Sequence, residues 1–140
     1  MKPNKAAGHL IRRLHQQSVA VFQAQTQAAG FDLTPVQFAA LNAIAQQPQI
    51  DQASLATAIS FDRATIGGVI DRLERKELVQ RVVCDQDRRA RRLCLTAQGE
   101  QLLAACGPVV DALQDDILAP LSRSEREAFL TLASKALGLD

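Results

Sequence analysis

Two short amphipathic segments separated by a tight turn constrain the fold more than any other part of this sequence. Asp51 can cap a first short helix that runs to about Ile59. Asp62 can cap a second, longer helix over residues 63–76, in which apolar residues recur at helical spacing. The few residues between the two segments predict a helix, a tight turn and a second helix.

A β-prone stretch follows the helix pair. The segments VQRVV (residues 79–83) and RLCL (residues 92–95) are rich in strand-forming side chains. They bracket the polar run CDQDRRAR. We therefore expect a β-hairpin with a charged tip directly after the second helix.

Basic charge is concentrated in this part of the chain. The net charge of the whole protein is only +1, but residues 63–92 hold nine Arg and Lys against five Asp and Glu, a balance of +4. Residues 111–127 lean acidic instead. This asymmetry predicts that the middle of the chain faces a polyanion and that the ends have another role.

Helical patterns precede and follow the middle segment. A long amphipathic helix is predicted over residues 6–29, and Thr34 followed by Pro35 marks the start of another that ends near Gln47. Thr96 can cap a helix that runs toward Leu118. That helix should kink or break at Gly107–Pro108.

A final helix ends the chain. Ser122 and Glu125 have the spacing of a capping box, which predicts a helix that runs to Leu137. The order is four helices, a hairpin and two helices. The expected fold is mainly α with a small β-hairpin wing, in a single domain whose winged helix-turn-helix lobe covers residues 33–96.

A helix pair followed by a basic hairpin suits double-stranded DNA. The second helix would enter a major groove while the wing reaches an adjacent groove. A basic run on a loop taken alone is more often simply solvated, so the interpretation depends on the helix pair beside it. Asp87 can orient one of the wing arginines by pairing. The candidate DNA-contacting cations and hydroxyl are Arg63, Thr65, Arg72, Arg75, Arg88, Arg89, Arg91 and Arg92.

Gly67 and Gly68 lie inside the second helix, where each costs about 1 kcal/mol relative to alanine. Two explanations stay open. The missing side chains can let the helix backbone approach DNA closely, or they can permit tight packing against a neighbouring helix.

The runs LTPVQFAALNAI, SLATAISFDRATIGGVIDRLERKELVQR and DQDRRARRLCLTAQG resemble the signature of MarR regulators, over roughly residues 33–99. The resemblance implies a cytoplasmic homodimeric transcriptional regulator, by default a repressor on a pseudo-palindromic operator. Its helices over residues 5–30 and 97–140 would interlock with those of a second copy. Arg89 would enter the minor groove, held in place by Asp87.

The resemblance also implies an effector, commonly a small aromatic acid or phenol. The first helix offers a cationic face for a carboxylate, although the same residues can instead pair with acidic groups at the dimer interface. Two phenylalanines can line a pocket or belong to the core. The candidate effector residues are His9, Arg12, Arg13, Gln16, Phe22 and Phe38.

Other functions find less support. Cys84, Cys94 and Cys106 form no CxxC pair, so we expect reduced thiols, with cysteine-based redox sensing as the alternative mode of regulation. His9 and His15 are six residues apart and face different sides of a helix, which argues against a metal site.

The sequence contains no phosphate-binding loop, nucleophile elbow or HExxH motif. We therefore expect neither enzymatic activity nor a bound cofactor. The sequence has no apolar stretch of 18 residues and no signal sequence, so we do not expect the chain to enter or cross a membrane. A dimerisation adaptor that does not bind DNA stays open.

Overall fold

The computed structural model describes residues 1–84 and 87–139, and for residues 83, 84 and 87–90 it describes the backbone alone. A short 3-10 helix at Pro3–Lys5 precedes the main elements. In chain order these are α1 (Ala7–Ala28), α2 (Pro35–Gln46), β1 (Ile50–Asp51), α3 (Gln52–Ala58), α4 (Arg63–Arg75), β2 (Val79–Cys84), β3 (Asp87–Leu95), α5 (Ala97–Ile117) and α6 (Arg123–Ala136). The expected mainly helical winged helix-turn-helix fold is confirmed.

The helix starts are confirmed at the predicted capping residues. Side chains of Thr34, Asp51, Asp62, Thr96 and Ser122 each accept a hydrogen bond from a backbone N–H in the first turn. These bonds satisfy donors that have no partner inside the helix. The predicted capping box at Ser122 is present, and Thr34 forms a second one with Gln37.

The sheet has a third strand that the sequence pattern did not predict. Its order is β1-β3-β2, with Ile50 opposite Leu93 and Asp51 opposite Arg92. Two residues are too few to show an alternating pattern, so β1 is recognisable only through its pairing with β3. This pairing joins the start of α3 to the base of the wing, which we define as strands β2 and β3.

The wing strands are longer than expected. We predicted a charged tip from residue 84 to residue 91, but β3 already begins at Asp87 and pairs with β2, with an irregularity between Val83 and Cys84. The basic run therefore belongs to a strand. Ladder hydrogen bonds are formed by the backbone, so charged side chains of an exposed strand do not prevent pairing.

We predicted a kink or a break at Gly107–Pro108, and the break is wrong because helix α5 continues through both residues. Pro108 removes one backbone N–H from the helix. Buried residues on both sides of it, Cys106, Val110 and Leu113, anchor the two halves in the core. We attribute the continuity to this packing.

The core of the winged helix-turn-helix lobe lies between α2, α3, α4 and the sheet. Its fully buried side chains are Leu41, Ile44, Leu55, Ile66, Ile70, Leu73, Val79 and Leu93. Where helix α5 leaves this core, the backbone of Gly99 lies against the backbone of Leu78. A Cβ on Gly99 would overlap the carbonyl oxygen of Leu78. Beyond that point α5 packs against α1.

Helix α6 differs from the others because none of its residues is buried. Leu130 and Leu132 are 60% and 64% exposed. At the other end of the chain Ile11 of α1 is 65% exposed. The terminal helices thus leave apolar side chains in solvent. Within the described ranges, no helix is both long and apolar enough to cross a bilayer.

Candidate nucleic-acid interface

Helix α4 has a buried side and a side open to a ligand. Ile66, Val69, Ile70 and Leu73 are buried at helical spacing. The predicted residues Arg63, Thr65, Gly68 and Arg72 are exposed on the rest of the helix, and Gly67 is half-buried. The Thr65 hydroxyl donates to the Asp62 carbonyl oxygen at 3.2 Å and keeps lone pairs for a ligand. The fold therefore presents these α4 residues together.

Arg81 on strand β2 forms an ion pair with each of the two carboxylates of α4. Its Nη2 lies 2.8 Å from Asp71 Oδ1 and its Nη1 lies 3.0 Å from Glu74 Oε1. Sequence reasoning missed this residue, since it treated α4 and the hairpin as separate sources of charge. The only hint was the i, i+3 spacing of the two acids. With both acids paired, the cations Arg63, Arg72 and Arg75 dominate the exposed charge of the helix.

The two glycines of α4 have different surroundings. A Cβ on Gly68 would have no neighbour within 4 Å, so tight packing does not explain this glycine. A Cβ on Gly67 would lie 3.2 Å from Nε2 of Gln52, which is a side-chain tip and no neighbouring backbone. The helix surface is therefore open at Gly68, whereas Gly67 leaves room for a side chain of the neighbouring helix α3.

The wing contributes a basic strand beside α4. Arg91 is exposed on β3. The side chains of Asp87, Arg88 and Arg89 lie outside the described residues, so their predicted pairing and groove contacts are not addressed by the structure. Arg92, one of the candidate DNA-contacting residues, lies at the base of the wing with Nη1 3.7 Å from Asp51 Oδ2.

Asp51 joins the wing to the helix pair. Its Oδ1 accepts from the Ser54 backbone N–H at 2.7 Å and its Oδ2 from the Ser54 hydroxyl at 2.9 Å. These hydrogen bonds, with a smaller contribution from the Arg92 guanidinium, hold the pKa of Asp51 below its ordinary value. One carboxylate thus begins α3 and also meets a wing cation.

The end of α4 is tied to the segment between α1 and α2. Lys76 Nζ donates to the Asp32 carbonyl oxygen at 2.6 Å and to Gln37 Oε1 at 3.3 Å. The same Gln37 oxygen accepts from the Thr34 N–H in the capping box. Helix α4 is therefore held at its end by the start of α2.

The candidate effector residues fall into two groups. On α1, an Arg12 Nη2 lies 3.2 Å from His9 Nδ1, and Arg13 and Gln16 line a surface depression of about 550 Å³. Phe22 is buried, and its ring packs against that of Phe38 with centroids 6.3 Å apart. The structure therefore separates the polar face of α1 from two rings that serve the core.

The described cysteines do not form a reactive pair. Cys106 is fully buried, and burial raises the pKa of its thiol, which disfavours the reactive thiolate. Cys94 is half-buried and lines a depression of about 460 Å³ with Glu100. Among the described side chains, those of residues 1–82 and 91–139, no three His, Cys, Asp or Glu are grouped to hold a metal ion.

A helix-turn-helix with a cationic open face and an adjacent basic wing defines a protein of the winged DNA-binding class. The chain belongs to the MarR family of transcriptional regulators. The MarR family model matches residues 33–90. The transcriptional regulator HosA of Escherichia coli is 38% identical over 134 residues, which cover 96% of each chain. These relatives are regulators and not enzymes.

Solved structures agree with the fold along the whole chain. BpsR of Bordetella bronchiseptica, whose DNA binding is regulated by 6-hydroxynicotinic acid, is 31% identical with a TM-score of 0.86, over 97% of this chain and 96% of BpsR. The transcriptional repressor CouR, bound to a 23-mer DNA duplex, is 27% identical with a TM-score of 0.85, over 96% of this chain and 94% of CouR.

Proposed function

We propose that this MarR-family regulator is a homodimeric repressor that binds a pseudo-palindromic operator through α4 and the wing, and that a small aromatic acid releases it. Each copy places one α4 in a major groove, with half-sites about one helical turn apart. Bound across a promoter, the dimer blocks transcription.

The exposed face of α4 carries the proposal. Arg63, Thr65 and Arg72 project from a helix whose opposite side is fully committed to the core. Arg81 and the three arginines of α4 outnumber the two acids of that helix, so phosphates meet net positive charge. CouR, which shares this fold, is bound to duplex DNA in its own structure.

The terminal helices support a dimer. A helix with no buried residue and several exposed leucines gains little from packing within its own chain. Exposed apolar surface of this kind is typical of subunit contacts. The apolar side chains available for the partner copy are Leu10, Ile11, Leu130, Leu132, Leu137 and Leu139.

An effector site on α1 would lie next to those helices. The depression lined by Arg13 and Gln16 has guanidinium and amide donors that suit a carboxylate. BpsR, whose DNA binding responds to 6-hydroxynicotinic acid, is similar to the whole chain. Effector binding that favours a dimer with misplaced α4 helices by about 1–3 kcal/mol would weaken operator binding about five- to a hundredfold.

Fluorescence anisotropy with the DNA upstream of the protein's own gene tests the regulator. We expect tight binding by the wild type, strong loss in Arg63→Ala and Arg89→Ala, and little change in Arg123→Ala, an exposed arginine of α6. If each chain neutralises roughly four phosphates, log affinity falls with log salt at a slope of about −7. Absence of binding by all four proteins would support the adaptor instead, and a slope near zero would contradict the proposed phosphate contacts.

The effector is tested on the preformed protein–DNA complex. 6-Hydroxynicotinic acid and benzoic acid should release the DNA, while benzamide, which lacks the negative charge, should not. Arg13→Ala should bind DNA like the wild type but resist release. Release by the amide, or an unchanged response in Arg13→Ala, would contradict a carboxylate site on this face of α1.

A further inference from the structure

The middle of the exposed face of α4 lacks the side chains that read bases. Ala64 and Gly68 are four residues apart and share the same row of the helix surface, and both are exposed. Neither carries a hydrogen-bonding group. Of the first two turns, Arg63 and Thr65 alone offer polar side chains, and Thr65 also donates to the Asp62 carbonyl oxygen. Part of the base readout is therefore missing from α4.

Gln52 of α3 lies beside this row, next to Gly67. Its Nε2 is 3.2 Å from the position that a Cβ on Gly67 would take. Gly67 shares a helix row with Arg63, one turn earlier. The Gln52 carboxamide thus stands over the backbone of α4, on the same flank as the Arg63 side chain.

The Gln52 carboxamide is uncommitted in the described part of the chain. The hydrogen bonds at the start of α3 are made by the neighbouring residue, Asp51, to Ser54. Gln52 is half-buried and holds no hydrogen bond or ion pair with a described residue. Its amide donor and acceptor are available together, which is what a bidentate contact to adenine requires.

We propose that Gln52 is a specificity-determining residue, supplied by α3, that reads an adenine in the major groove through the space left by Gly67. The inference rests on the proposed function, since it needs α4 to lie in the groove. Gly67 then serves two purposes: it lets the DNA approach the helix backbone, and it leaves room for the carboxamide. Arg63 would contact a base next to that adenine.

Selection of bound sequences from a randomised operator pool tests this, with wild type, Gln52→Ala, Gln52→Glu and the control Gln46→Ala, an exposed glutamine at the end of α2. We expect Gln52→Ala to lose the preference for adenine at one position in each half-site. Discrimination at that position should fall by about five- to a hundredfold. Gln52→Glu should shift the preference toward cytosine, whose N4 amino group donates to a carboxylate. Gln46→Ala should retain the wild-type preference.

Two results would overturn the inference while leaving the regulator intact. One is a Gln52→Ala protein with wild-type preferences at every position. The other is a uniform loss of affinity across all sequences with a reduced salt slope, which would make Gln52 a phosphate contact. If the wild-type protein selects no DNA at all, the proposed function fails first, so the two failures are distinguishable.

Discussion

Arg81 and Asp71 form the shortest ion pair among the described residues, with 2.8 Å between Nη2 and Oδ1. The arginine is on the wing and the aspartate on α4, and the guanidinium is largely covered, with 22% of the side chain exposed. Because Glu74 Oε1 lies 3.0 Å from the other Nη, one side chain ties together the two elements that we propose to contact DNA.

Replacing Arg81 by alanine should weaken both folding and DNA binding. The partners are 52% and 44% exposed, so we expect the free energy of unfolding to fall by only about 1 kcal/mol. Operator affinity should fall more, since two acids then face the phosphates. Urea unfolding and anisotropy measure the two effects. Arg75→Ala removes a charge from α4 without breaking a described ion pair, and equal losses in both variants would contradict a positioning role for Arg81.

Two glycines of α5 should respond in opposite ways to the same change. At Gly99 an added Cβ would meet the Leu78 backbone, which cannot move away cheaply, so Gly99→Ala should cost about 1–3 kcal/mol. At Gly107 the added Cβ has no neighbour within 4 Å, so Gly107→Ala should raise the free energy of unfolding by about 0.5–1 kcal/mol through its higher helix propensity. Urea denaturation of both variants checks the pair. Destabilisation of equal size at both positions would contradict the contact with Leu78.

Asp51 should make stability depend on acidity. The hydrogen bonds from Ser54 lower its pKa below the ordinary 3.8 in the folded protein. Its stabilisation is therefore complete above pH 3.8 and is lost as the pH falls through the lower folded-state pKa. Asp51→Asn keeps a capping acceptor and should flatten this part of the profile, while Asp51→Ala should cost about 1 kcal/mol at neutral pH. Unfolding curves of the three proteins at several pH values test this prediction. Parallel profiles of unfolding free energy against pH for wild type and Asp51→Asn would contradict it.

Cys106 should be chemically silent in the folded protein. It is fully buried and its thiol pKa is raised, so iodoacetamide should modify it only after unfolding. Half-buried Cys94 should react earlier. Mass spectrometry of the two peptides after timed labelling, with and without urea, makes the comparison. Rapid labelling of Cys106 in the native protein would reopen redox sensing at this residue.

Local chemistry explains what the sequence could predict. Helix starts depend on one capping side chain and the N–H groups two or three residues away, so Asp51, Asp62 and Ser122 were identified without any structure. The exposed residues of α4 followed from its periodicity in the same way. Family resemblance added the expected homodimer, the effector and the minor-groove role of Arg89.

Interactions between elements could not be predicted. Arg81 of β2 forms an ion pair with Asp71 of α4. Strand β1 is defined by its pairing with β3, in which Ile50 is opposite Leu93. The place of Gln52 over Gly67 depends on how α3 crosses α4, which no spacing along the chain encodes. In each case the partner is defined by packing in three dimensions.

The proline inside α5 has a mechanical consequence. Pro108 has no N–H, so the carbonyl group of residue 104 lacks its usual helical donor, and the helix is softer there than elsewhere. The residues before it hold the DNA-binding lobe, and those after it lead to the terminal helices. In the proposed dimer, bending of α5 at Pro108 would change the distance between the two winged helix-turn-helix lobes.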